Sequence, residues 1–320
     1  MRLAAKIVGV LVGVVLVTAL LIPVVDDNST DGENTLDVVV IAGQSNAAYI
    51  VDYVDVDVVN SEIPQVTENC YYFGYGPNDA ARPINNINEG KNSNILNLFG
   101  MSSGGKWVIG GEEVALASTI ASVTHDDVLV INVAIPGQAI EYFTPTQAGG
   151  AYAKEMIELA LSKIPTTYSV RTVGWMWCQG ESDKTTAVAD YVASFDLIQA
   201  QYAELGFDTC YMVQTKPVDS GNATAAQTQI CDTDLDVIMA STAPADFTVA
   251  NGLLIDGNSL HYSQAGRDIV GEQVGDKIAA TLPIHMRDGS ATYSMLQLVP
   301  ILVVIGLVLG AVGTFMSRRD

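Results

Sequence analysis

The hydrophobic and polar positions of the chain change period several times, and each change marks an element. LDVVVIA at 36–42, VLVINVAI at 128–135, SVRTVGWMWC at 169–178 and TCYMVQT at 209–215 are near-continuous apolar runs. Runs of this length, rich in β-branched residues, predict strands buried on both faces. Between them apolar residues recur at helical spacing, in GEEVALASTIASVT at 111–124, YAKEMIELALSKI at 152–164, DYVASFDLIQAQYAEL at 190–205 and RDIVGEQVGDKIAATL at 267–282. Glu112 and Glu113 fall in the first turn of the first helix, where carboxylates suit the helix dipole. Pro165, Gly206 and Pro283 stop the other three. Strand–helix alternation predicts an α/β fold, a parallel sheet with helices on both faces, formed by residues 36–283 as one domain.

Two stretches stand outside that alternation. IVGVLVGVVLVTALLIPVV at 7–25 and MLQLVPILVVIGLVLGAVGTFM at 295–316 carry no charge. About 20 apolar residues span a bilayer core at ~1.5 Å rise each, so both segments read as transmembrane helices. A cleaved signal peptide is the alternative for the first, although its apolar run exceeds the ~7–15 residues such peptides use. Arg2 and Lys6 precede the first span, and Arg318 and Arg319 follow the second. Basic residues stay inside, which puts both termini in the cytoplasm and the domain outside the cell membrane. The map is then an anchor at 1–25, a polar linker at 26–35 (DDNSTDGENT reaches the first strand), the domain, an exit linker at 284–294, the second span at 295–316 and a tail at 317–320.

Charge narrows the partners. Fifteen Lys and Arg face 36 Asp and Glu, a formal charge of −21. Nucleic acid is excluded, because phosphate binding needs clustered cations. The four cysteines, Cys70, Cys178, Cys210 and Cys231, form no Cys-x-x-Cys pair, so no structural zinc is expected. An external domain permits disulfides, and Cys210 with Cys231 is the expected pair. Cys178 reads as a small core residue.

In parallel α/β sheets, sites form beyond the carboxyl ends of the strands. Four polar clusters occupy such places: Gly43-Gln44-Ser45-Asn46, Pro136-Gly137-Gln138, Gln179-Gly180-Glu181-Ser182-Asp183, and Asp256-Gly257-Asn258-Ser259-Leu260-His261-Tyr262. Together they hold the parts of an acyl-transfer site. Ser45 is a hydroxyl nucleophile at a rigid strand end. Of three histidines, His125 falls in a surface turn and His285 beside the second apolar span, while His261 sits among polar residues as a candidate base. Asp256 or Asn258 is placed to fix its tautomer. The N–H groups of Ser45 and Gly137 and the side chain of Gln179 are candidate oxyanion donors. No metal and no organic cofactor is expected.

Gly-Gln-Ser-Asn, Trp177-Cys178-Gln179-Gly180-Glu181-Ser182-Asp183 and Leu260-His261-Tyr262 resemble the SGNH-hydrolase superfamily, most closely its sialate O-acetylesterase and acetylxylan-esterase branch, carbohydrate esterase family 6. The resemblance covers about residues 36–283. It implies a flavodoxin-like three-layer α/β/α sandwich with five parallel strands, Ser45 as nucleophile, His261 as base, and Ser45, Gly137 and Gln179 around the oxyanion. It implies an acetylated carbohydrate as substrate.

One departure from the pattern matters. The resemblance places Asp three residues before the histidine, where this chain has Asn258. Asn cannot carry the charge that stabilises an imidazolium, a loss worth about four orders of magnitude in a serine-protease triad. Three alternatives follow: Asp256 reaches His261, Glu181 supplies the charge from the opposite loop, or the protein is a weak or inactive glycan-binding domain. Asp183 reads as the cap of the following helix. Glu181 reads as orienting the Gln179 and Ser45 loops, with Gln44 and Asn46 in support. Trp175 and Trp177 share a strand face and read as core, whereas Tyr142, after the second strand's glycine, is placed for substrate. A lipid or thioester hydrolase of the same superfamily is a further reading, suggested by the apolar ends.

Overall fold

The computed structural model of the protein describes residues 34–48, 70–74, 96–97, 112–255, 257 and 260–282, with the backbone alone at 34, 96, 97 and 217–220. Both expected membrane spans, His285, Asp256 and Asn258 lie outside the described residues. Among the described residues no helix is long and apolar enough to cross a membrane.

The strands are β1 (Asn34–Gly43), β2 (Cys70–Gly74), β3 (Leu96–Asn97), β4 (Asp127–Asn132), β5 (Tyr168–Cys178), β6 (Cys210–Val213) and β7 (Val237–Ser241). The helices are α1 (Glu112–Thr124), α2 (Ala148–Ser162), α3 (Val188–Glu204), α4 (Pro217–Thr233) and α5 (Gln264–Ala279). The sheet order is β3-β2-β4-β1-β5-β6-β7. All pairings are parallel except β2 with β3. The sheet therefore has seven strands rather than the expected five, and β1 starts inside the stretch expected as linker. The three strands that the four apolar runs do not mark are short: CYYFG, the two-residue β3, and VIMAS. The unforeseen α4, PVDSGNATAAQTQICDT, shows only a thin apolar stripe, with Ala223, Ala226 and Ile230 buried.

Alternation along each strand feeds two cores. Leu36, Val38, Val40 and Ala42 of β1 and Leu129 and Ile131 of β4 face α2, α3 and α4. Val39, Ile41, Val128 and Val130 face α1 and α5. The first core is aromatic. Trp175 and Trp177 are both fully buried, and Trp175 stacks on Tyr202 at 4.1 Å. The second is built from small residues. A Cβ on Gly271 would lie 2.4 Å from the Glu112 carbonyl, and one on Gly275 2.8 Å from the Thr119 side chain. Only glycine lets α5 come this close to α1. That approach brings Arg267 of α5 within 3.2 Å of Glu112 of α1.

Cys210 and Cys231 are free thiols, so the expected disulfide between them is absent. Burial raises both thiols above the ordinary range and holds them protonated. Cys178 is buried core, as its strand position suggested.

Candidate active site

The turn after β1 is fixed by its neighbours on both sides. Gly43 has φ 135°, and a Cβ there would lie 2.0 Å from the Cys178 carbonyl oxygen, so no other residue fits. Gln44 N–H donates to the Cys178 carbonyl at 3.0 Å. The N–H groups of Ala47 and Ala48 both donate to the Gln44 carbonyl, closing a tight turn around Ser45. Ser45 is buried apart from a sliver, and its Oγ lies 3.0 Å from His261 Nε2. These two residues are 216 positions apart in the chain.

Two side chains brace that contact. Asn46 holds the histidine: its Nδ2 donates to the Leu260 carbonyl at 3.2 Å and its Oδ1 accepts from Tyr262 N–H at 3.1 Å. Glu181 holds the serine: it accepts from Gln44 Nε2 and, at 2.6 Å, from Asn46 Nδ2. Each brace therefore grips the residues on either side of the reacting group. Glu181 thereby ties its own loop, the one that carries Gln179, to the Ser45 turn through Gln44 and Asn46. The imidazole is half-buried, and burial first, then the nearby Arg267 charge, hold it below the usual histidine range. It is thus neutral, and Nε2 can accept a proton, at neutral pH.

The second loop continues β4 alongside β1, with Val133 N–H donating to Ile41 and Ile135 N–H to the Gly43 carbonyl. Gly137 follows, exposed and at φ 71°. Neither the Ser45 nor the Gly137 N–H donates to any group among the described residues. Gln179 differs. Its Nε2 donates to the Gln138 carbonyl at 3.1 Å and to Asp183 Oδ2, and its Oε1 accepts from Tyr191 at 3.0 Å. Both of its N–H groups are engaged, so in this structure Gln179 ties loops together and offers no spare oxyanion donor.

Asp183 also departs from expectation. The N-cap of α3 is Ala187, with no side-chain cap. Asp183 instead accepts from Ile140 N–H at 3.0 Å, from Gln179 and from Thr186 Oγ1. It anchors a short 3-10 turn, Ile140–Phe143, that follows Gly137. Tyr142 lies in that turn, half-buried, edge-on to Phe143 at 5.7 Å and packed over Gly149. His125 ends α1 in a left-handed turn, away from the cluster, as expected.

Sequence reasoning missed the layer beneath Ser45. Glu112 and Glu113 are fully buried rather than solvated dipole partners. Glu112 meets Arg267, and Glu113 accepts from Asn132 Nδ2 at 2.7 Å. Asn132 Nδ2 also donates to the Ala47 carbonyl at 2.8 Å. The available signal was Arg267 on the apolar stripe that Val270, Val274 and Ile278 share. A charge on such a stripe must find a buried partner.

The family model described as carbohydrate esterase, sialic acid-specific acetylesterase matches residues 35–280. No curated protein sequence matches. Among solved structures, a protein of Arabidopsis thaliana is 14% identical over 77% of this chain and 99% of its own, with a TM-score of 0.52. That likeness shows a shared fold. A carbohydrate acetylesterase from Xanthomonas citri is 15% identical over 76% of this chain and 55% of its own, TM-score 0.43. An acetylxylan esterase from Geobacillus stearothermophilus is 9% identical over 80% of this chain and 99% of its own, TM-score 0.41.

Proposed function

The chain belongs to the carbohydrate esterase family of sialic acid-specific acetylesterases, and we propose that it removes acetyl groups from acetylated glycans through an acetyl-Ser45 intermediate. Ser45 Oγ attacks the acetyl carbonyl carbon while His261 Nε2 takes the hydroxyl proton. The ester C–O bond then breaks, and the imidazolium returns the proton to the departing sugar oxygen. Water repeats the sequence on the acetyl-enzyme and releases acetate. The N–H groups of Ser45 and Gly137 receive the oxyanion. The observation that carries this reading is the 3.0 Å Ser45 Oγ to His261 Nε2 contact, braced on both sides.

Asp256 is the acid we assign to the imidazole. Both Glu181 oxygens already accept from the Ser45 turn, at Gln44 and Asn46. Asp256 follows Ile255, whose N–H donates to the His261 carbonyl at 3.1 Å, so the chain returns to the histidine at this point. Tyr142 contributes its open half to the sugar. The segments at 7–25 and 295–316 anchor the domain on the outer face of the cell membrane, as their hydropathy and flanking charges indicate. The formal charge of −21 makes neutral acetylated glycans as admissible as anionic sialosides, because like charges slow encounter.

The test is hydrolysis of p-nitrophenyl esters of increasing acyl length by the full chain and by Ser45→Ala. A steep fall beyond acetyl, absent in Ser45→Ala, supports the carbohydrate acetylesterase. Preference for long chains points to a lipid or thioester hydrolase. Equal rates for the two proteins favour a glycan-binding domain.

A further inference from the structure

Arg267 takes no part in the bond-making above, yet it holds the nucleophile's turn at three points. It is 1% exposed. Its Nη2 donates to the Ser45 carbonyl at 3.2 Å, and its Nη1 donates to the Asn46 carbonyl at 2.9 Å and the Ala48 carbonyl at 3.4 Å. The same Nη1 meets Glu112 Oε2 at 3.2 Å. The carbonyls of a tight turn point one way and gather negative charge at its end, as at a helix terminus. A planar fork of donors suits that end better than a single ammonium. Stability alone does not call for it, because taking a guanidinium out of water is costly.

We propose that Arg267 is the positioning residue of the nucleophile, fixing the Ser45 Oγ and N–H against His261 through the carbonyls of Ser45, Asn46 and Ala48. The inference rests on the acyl-transfer reading of Ser45. The guanidinium charge has a second effect, because it stands near the imidazole and disfavours its protonation. The other titratable groups gathered here are Glu112 and Glu113 from α1, Cys178 and Glu181 at the end of β5, and Tyr262 beside the histidine. Asp256 lies outside the described residues.

Arg267→Gln and Arg267→Lys in the full chain test this. Arg267→Gln should lower kcat for p-nitrophenyl acetate about 100-fold with KM nearly unchanged, the cost of roughly 1 Å of misplacement. The acid limb of its pH profile should move up, since a positive charge beside the base is gone. Arg267→Lys keeps the charge and loses the fork, so its limb should stay in place while kcat falls about tenfold. NMR titration of the His261 ring reads the same displacement without turnover. A displaced His261 titration in a wild type no faster than Ser45→Ala would therefore fault the esterase reading and not the placement of the charge. If both variants lose melting temperature but keep kcat and the limb, Arg267 only packs the helices and the proposal fails. Should Arg267→Gln not fold, Arg267→Lys decides: unchanged kcat overturns the proposal.

Discussion

The two layers that enclose the sheet are built on different principles. The layer of α2, α3 and α4 is apolar and aromatic, with Trp175, Trp177, Phe195 and Tyr202 in mutual contact. The layer of α1 and α5 is packed through glycines, and at the end nearest Ser45 it buries Glu112, Glu113, Arg267 and Asn132. The first layer gains free energy from area removed from water. The second accepts the desolvation of charges, and those charges reach the Ser45 turn. Stability and positioning are thus assigned to opposite faces of one sheet, and substitutions on the two faces should separate them.

The largest effect is expected at the contact itself. Ser45→Ala or His261→Ala should lower kcat about 10⁴-fold or more while leaving the melting temperature close to wild type. Steady-state kinetics beside thermal unfolding checks both halves of that statement. Trp175→Ala attacks the other layer. It should cost about 3–5 kcal/mol of stability, measured by denaturant unfolding, with kcat of the folded fraction nearly unchanged. A kcat loss as large as the stability loss would break the division between the layers.

Glu181→Gln should have a smaller effect, lowering kcat by about 10- to 100-fold through a loosened Ser45 turn. Its KM should hold, because Glu181 bonds Gln44 and Asn46 and not substrate. The smallest effect concerns pH. Burial, opposed by Arg267, pushes Glu112 up to about 8. A folded-state value above the unfolded one adds stability that is complete below about pH 4.5 and is lost as pH rises through about 8. The melting temperature of wild type should therefore fall relative to Glu112→Gln between about pH 4.5 and 8 and hold level above that. A gap that does not change with pH would contradict a protonated Glu112.

Much of this was legible in the sequence, for identifiable reasons. β1, β4, β6 and the second half of β5 are buried on both faces, so they appear as apolar runs of strand length bounded by turn residues. β7 and α4 were not legible, because β7 is five residues long and α4 buries only a thin row, Ala223, Ala226, Gln227 and Ile230, one of them polar. Ser45, Gly137 and Gln179 were legible because they follow the carboxyl ends of β1, β4 and β5, a place the topology reserves for sites, and His261 because it stands in a polar cluster just before the last helix. Their connections were not. Asp183 reads locally as a helix cap, yet its acceptors serve Ile140 and Gln179. Glu112 and Glu113 read as dipole partners, yet the close crossing of α1 and α5 buries both. Such pairings depend on which helices cross, and that information is spread over residues far apart in the chain.

The central claim is that His261 activates Ser45 as a nucleophile, and covalent trapping tests it most directly. Full-length protein treated with diethyl p-nitrophenyl phosphate should gain one diethylphosphoryl group by intact mass, mapped to the peptide carrying Ser45. Labelling should be absent in Ser45→Ala and strongly slowed in His261→Ala. An unlabelled wild type, or a label on any other residue, would contradict the account.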